Sequence, residues 1–141
     1  MLIELLGETV AVLAYGILGI LLLALGVAVL DWLTPGRIAH LVWEKRNRNA
    51  ALLVASNVVG LGIVVTAAIW ASEGSLLDGL LQTVVYGLVG IVLMTGAFLL
   101  LDLLTPGRLG LLLVDEKPHP AAWVSAALHV VIGAVVALAV M

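Results

Sequence analysis

Residues 15–37 read YGILGILLLALGVAVLDWLTPGR, and residues 86–108 read YGLVGIVLMTGAFLLLDLLTPGR. The two stretches lie 71 positions apart and are identical at 12 of 23 positions. Apolar composition alone does not produce that match, because the shared residues include Tyr15 and Tyr86, Asp31 and Asp102, Thr34 and Thr105, and Arg37 and Arg108. Each stretch is an apolar run closed by Asp-x-Leu-Thr-Pro-Gly-Arg, so one unit is used twice.

Working outward, four windows contain no Asp, Glu, Lys or Arg: 9–30, 49–72, 79–101 and 120–141. Each is 22 to 24 residues long, and about 20 apolar residues cross a bilayer core as a helix. The 141 residues are 64% hydrophobic and 11% charged, against about 25% charged in a typical soluble domain. The fold class is therefore an all-α integral membrane protein with four transmembrane helices in two hairpins. Residues 1–72 form the first repeat and 73–141 the second, together one bundle. An even number of crossings separates the copies, so the hairpins run the same way, about a pseudo-two-fold axis along the membrane normal. The pieces between spans are too short to build a core of their own. A soluble catalytic domain and a nucleic-acid binder are excluded, and a chain with no cysteine is not a disulfide scaffold.

All six basic residues (Arg37, Lys45, Arg46, Arg48, Arg108 and Lys117) fall in 31–48 and 102–119. The positive-inside rule makes these two connections cytoplasmic and leaves both termini and the 73–78 turn outside. Trp32, Trp43 and Trp123 then sit at the inner interface and Trp70 at the outer one, where indole rings prefer to be. Met1–Val10 carries Glu4 and Glu8 and no basic residue. It thus lacks the basic leader of a cleavable signal, and the first span is expected to stay in place.

The tandem Asp-x-Leu-Thr-Pro, followed by a short interfacial stretch and Asn49-Ala50-Ala51 at the start of the next helix, resembles the bacterial inner-membrane family called domain of unknown function 350. The resemblance covers nearly everything from Val12 to the C-terminus. In the second copy, His119 and Pro120 stand where the first has Arg48 and Asn49. It implies a multi-pass cytoplasmic-membrane protein with no established activity. Members tend to be encoded near polyamine-synthase-like enzymes.

Three residue groups are candidates for chemistry. The first is the duplicated turn, Asp31, Thr34 and Arg37 with Asp102, Thr105 and Arg108. A carboxylate in the last turn of a helix opposes the dipole and needs a partner. Thr34 and Thr105 are expected as N-caps of a short following helix, whose N-terminus holds the carboxylate together with Arg37 or Arg108. In the first copy that helix is amphipathic, with Ile38, Leu41 and Val42 opposite Arg37, His40, Glu44 and Arg48, and lies in the interface. Two readings stand: a bend that fixes where the chain leaves the membrane, or a pair of carboxylates gating a cation path.

The second group is Asn57 and His129, polar side chains near the middle of spans two and four. Each shares a face with small residues, Gly60 for Asn57, and Ala122, Ala126, Gly133 and Ala137 for His129, so both are expected to face other helices. They either fix packing by interhelical hydrogen bonds or handle protons or cations. The third group, Tyr15, Gly16 and Gly19 with Tyr86, Gly87 and Gly90, is a packing motif. Small residues on further faces, Gly79, Thr83 and Gly87 in span three and Ser56 and Gly60 in span two, point to a homo-oligomer.

There is no paired His at i and i+4, no phosphate loop and no catalytic triad set. His119 beside Asp115 and Glu116 lacks a second His for a metal site. No cofactor is expected, and no carboxylate lies deep in span one as a drug exporter would place it. The expected function is a non-enzymatic scaffold or accessory subunit whose cytoplasmic turns dock a protein partner. The alternative is a small channel or transporter for protons, other cations or polyamines.

Overall fold

The computed structural model describes residues 1–107 and 109–141, and the side chains among them except those of Leu109 and Leu113. Four long helices carry the chain back and forth: α1 (Leu2–Leu33), α2 (Arg48–Trp70), α3 (Leu76–Leu104) and α5 (Pro120–Val140), with a short α4 (Leu109–Val114) before the last. All four are long and apolar enough to cross a membrane, and no strand occurs among the described residues. The protein is a multi-pass membrane protein of all-α class.

Local chemistry sets the helix starts. Asn47 caps α2 by accepting from the Ala50 N–H at 3.0 Å. Ser75 and Asp78 form a capping box at α3. Pro120 occupies the first turn of α5, where its missing N–H costs nothing. Gly36 and Gly107, repeat-equivalent, both take left-handed φ values of +87° and +97°, which lets the chain turn sharply after the proline.

Helix α2 is the most enclosed span and α1 the least. The packed pairs are α1 with α2 and α3, α2 with α3 and α5, and α3 with α5; α1 and α5 share no packed interface. The dominant seam joins α2 to α5. It closes at Gly60 and Gly133, where a Cβ on Gly133 would lie 2.3 Å from the Gly60 carbonyl oxygen and one on Gly60 2.4 Å from the His129 oxygen. Backbone contact of that kind is what small residues allow in membrane bundles.

The interfacial helix expected after Arg37 is a single π turn, His40–Glu44. Its sidedness is as expected, with Ile38 and Leu41 buried and Arg37, His40, Glu44 and Arg48 exposed. The turn stops because Arg46 takes φ +52° and Asn47 starts α2. The short helix expected to follow Thr105 in the second connection is a regular α-helical segment, α4. Trp32, Trp43, Trp70 and Trp123 are all exposed, one at the end of α1, one in the π turn and one near each end of the α2 and α5 pair. That is the placement of an aromatic belt.

Candidate functional site

The duplicated turn is built differently from its sequence expectation. Thr34 and Thr105 are C-caps of α1 and α3, in extended backbone, and each hydroxyl donates back to the carbonyl four residues earlier, Leu30 at 2.9 Å and Leu101 at 2.7 Å. The N-cap assignment is thus corrected: each threonine ends its helix, and its hydroxyl adds a second donor to a carbonyl that already accepts the threonine's own N–H. Asp31 accepts from the Ile38 N–H and Asp102 from the Gly110 N–H at 3.1 Å, so backbone amides of the following turn hold both carboxylates. Asp31 and Arg37 form no ion pair; the only ion pairs among the described residues are the N-terminus with Glu4 and His40 with Glu44. Arg37 is exposed. The role expected of Arg108 lies outside the described residues.

Deeper in the bundle, α2 alternates apolar and polar steps on its buried face: Leu53, Asn57, Leu61. Leu53 belongs to an apolar cluster with Leu30, Ile38, Phe98 and Ala122, and Leu61 to another with Leu22, Val64, Ile91, Met94 and Val136. A polar layer lies between them. Asn57 Nδ2 donates to the Gly26 carbonyl of α1 at 3.3 Å, and Ser56 Oγ lies 3.4 Å from His129 Nδ1. The Ser56 hydroxyl donates to Leu53 O at 2.9 Å, so its oxygen accepts from the imidazole and Nε2 is left as the ring's acceptor. The imidazole stacks on Phe98 with centroids 6.1 Å apart and planes 13° apart. Gly26, Asn57, Thr95 and His129, one residue from each span, line a cavity of about 10 Å³, room for a single water. One turn from His129 on α5, the Ser125 hydroxyl is buried without a partner among the described residues. Asn57 and His129 thus share a cavity without bonding to each other, the sequence having given no sign of Ser125 or Phe98 as neighbours.

The tyrosine and glycine motif divides between the copies. The Tyr15 hydroxyl lies 3.1 Å from Ser72 Oγ and covers Gly79, where a Cβ would meet it at 2.0 Å. Tyr86 is half-buried and makes no side-chain hydrogen bond among the described residues. Gly19, Gly87 and Gly90 pack on Val65, Leu22 and Val64, whereas Gly16 is exposed with nothing within 4 Å. Its expected packing role is corrected accordingly. Gly60, Gly79, Thr83 and Gly87 are all buried within the monomer, so they are not spare surfaces for a second copy.

A contact that the sequence did not reveal joins the two connections. Asn47 Nδ2 donates to the carbonyls of Val114 at 2.9 Å and Asp115 at 3.1 Å. Asn49 Nδ2 donates to Asp115 at 3.2 Å and Lys117 at 2.8 Å, and its Oδ1 accepts from the His119 N–H at 3.1 Å. Both asparagines are nearly fully buried. His119 in turn accepts from the Ala121 N–H and caps α5. The first connection therefore clasps the second through backbone groups. The signal available in the sequence was the pair of asparagines flanking the start of a span, in a chain with few other amides.

The chain matches the family described as Domain of Unknown Function (DUF350) over residues 2–140. It is 34% identical over 131 residues to a UPF0719 transmembrane protein of Mycolicibacterium paratuberculosis, covering 93% of this chain and 87% of that protein. A UPF0719 transmembrane protein of Mycobacterium bovis is 35% identical over 130 residues, 92% of this chain and 86% of the relative. No solved structure matches. The chain belongs to the DUF350 family.

Proposed function

We propose that this DUF350 protein is a non-enzymatic scaffold or accessory subunit of the bacterial inner membrane, with both termini outside and a cytoplasmic face that docks a soluble protein. The observation that carries this reading is the closed polar layer. Where all four spans bring polar groups together, the space between them is about 10 Å³, too small for a solvated ion or an organic cation. Asn57 and Ser56 spend their donors inside the protein, as packing residues do. The clasp of Asn47 and Asn49 supports a cytoplasmic face of fixed shape, which suits docking. Orientation follows the confinement of the basic residues to two connections. Self-association fits the outer side of the α2 and α5 pair, where Gly62, Thr66 and Ala134 line an open groove of about 710 Å³.

A proton- or cation-handling role is the second reading, favoured by the unpartnered Ser125 hydroxyl one turn from His129. Purified protein in liposomes, with its His129→Gln variant, separates the two. The scaffold reading expects no proton or polyamine flux above protein-free vesicles, and full complementation of a deletion strain by His129→Gln. Flux that the folded His129→Gln protein has lost overturns it.

A further inference from the structure

Three residues of the first Asp-x-Leu-Thr-Pro-Gly-Arg turn have internal tasks. Asp31 accepts from Ile38, Thr34 returns its hydroxyl to Leu30, and Gly36 supplies the left-handed φ. Arg37 is exposed and pairs with no carboxylate. Beside it, between α1 and the π turn, runs a groove of about 460 Å³ whose walls include Ala24, Ala28, Val42 and Trp43, with Asp31 and Arg37 at one end. Trp43 is 82% exposed, at the level where indole rings meet headgroups.

Charge decides what fits. Residues 31–48 hold Arg37, Lys45, Arg46 and Arg48 against Asp31 and Glu44, a net of +2, in a chain whose net charge is -3. The corresponding 102–119 holds Arg108 and Lys117 against Asp102, Asp115 and Glu116, a net of -1. Both acids of the first connection are engaged, Asp31 by a backbone amide and Glu44 by His40 at 2.8 Å, while Lys45, Arg46 and Arg48 are exposed. An apolar groove at the membrane boundary that is lined by one cation, Arg37, in a connection of net positive charge matches a lipid with an apolar chain and an anionic head.

We propose that this groove is a binding site for one anionic phospholipid, its acyl chain along Ala24 and Ala28 of α1 and its phosphate at Arg37. Arg37 presents a planar fork suited to phosphate oxygens. Among the described residues the comparable recess at the second turn is half the size, about 230 Å³, and is walled by Leu33, Pro35 and Phe98 beside Asp102, so the proposal concerns the first turn alone. The site is independent of whether the protein is a scaffold or a transporter.

Native mass spectrometry of the full chain, supplied with phosphatidylglycerol and phosphatidylcholine of the same acyl length, tests it. The expected spectrum shows one phosphatidylglycerol per chain, retained in preference to phosphatidylcholine. Arg37→Gln is expected to weaken phosphatidylglycerol about 5-fold, the effect of one basic side chain near an anionic surface, and Lys117→Gln, with the same change in net charge, to leave it unchanged. Ala28→Trp fills the groove and is expected to displace both lipids, an arm that does not depend on Arg37. Equal retention of the two lipids, equal losses in Arg37→Gln and Lys117→Gln, or unchanged binding in Ala28→Trp overturns the site. So does a dimer that occupies the groove in place of lipid and dissociates in Ala28→Trp.

Discussion

Gly62 and Gly133 are repeat-equivalent, 71 positions apart, yet they meet opposite surroundings, and this makes them a matched test of the α2 and α5 seam. A Cβ on Gly62 meets nothing within 4 Å, whereas one on Gly133 lies 2.3 Å from the Gly60 oxygen and 2.6 Å from the Gly60 Cα. Ordinary contact begins at 3.4 Å, so Gly133→Ala forces the two backbones apart by about 1.1 Å at their crossing. No side chain can rotate away, because the obstructing atoms are main chain. Overpacking of this kind costs about 1–3 kcal/mol, and the loss extends to the Ser56 and His129 contact one turn away. Gly62→Ala gains helix propensity, up to about 1 kcal/mol, without a clash. Unfolding of the purified protein in mixed micelles, followed by circular dichroism as SDS is raised, measures both. The expected order is Gly62→Ala at or above the parent and Gly133→Ala clearly below it. Equal stability of the two variants would refute the crossing geometry and with it the placement of the polar layer.

Other perturbations follow from the hydrogen bonds. Asp31→Asn keeps an acceptor for the Ile38 N–H and is expected to cost less than Asp31→Ala by about 1 kcal/mol. A double-mutant cycle of Asp31→Ala with Arg37→Gln should be additive within about 0.5 kcal/mol in the same unfolding assay, a coupling larger than that showing that the two side chains meet. Asn49→Ala opens the clasp and is expected to lower stability by about 1–3 kcal/mol, because the Lys117 carbonyl loses its donor and the His119 N–H its acceptor, whereas Arg48→Ala, exposed one residue away, is expected to change it by less than about 0.5 kcal/mol. Single cysteines at Glu73 and Lys45 should label from opposite sides of intact cells, with Glu73 reached from outside; labelling of both by an impermeant reagent would reverse the orientation argument.

The spans were legible because a charge-free window of this length has one stable solution in a bilayer. The turns were legible in position and not in partner. A threonine after an apolar run can cap the helix that follows or return its hydroxyl to the one that ends, and composition is the same in both cases; the extended backbone at Thr34 and Thr105 decides for the second. Likewise an aspartate near an arginine six positions away invites a pair, yet a backbone amide reaches Asp31 first. The faces of Asn57 and His129 followed from helical spacing, since Gly60 and Gly133 do share them. Which glycines touch did not follow: Gly62 and Gly133 are equivalent in the repeat and differ only in what the neighbouring helix does. The Asn47 and Asn49 clasp was hidden for a related reason. Its acceptors are main-chain carbonyls 66 to 68 residues away, and a carbonyl leaves no mark in a sequence.

The clasp runs in one direction. The first copy supplies both amide side chains, and the second answers with bare carbonyls and with His119, Pro120 and the α5 N-terminus. Were the copies still identical, each connection would offer the same groups and a two-fold pair would need every contact twice. Here Tyr15 is bonded to Ser72 while Tyr86 makes no such bond, and α3 packs on α2 while α1 and α5 stay apart. The contacts of the bundle are therefore not two-fold symmetric at the ends or in the packing of α1. The carboxylate of each Asp-x-Leu-Thr-Pro-Gly turn nevertheless meets a backbone amide, seven residues on for Asp31 and eight for Asp102. These turns fix how each hairpin leaves the membrane, and the asparagine clasp joins the hairpins to one another. A hairpin alone would lack either the Asn47 and Asn49 donors or the Val114, Asp115 and Lys117 acceptors of the clasp, so these side-chain bonds join the two halves of the four-helix chain.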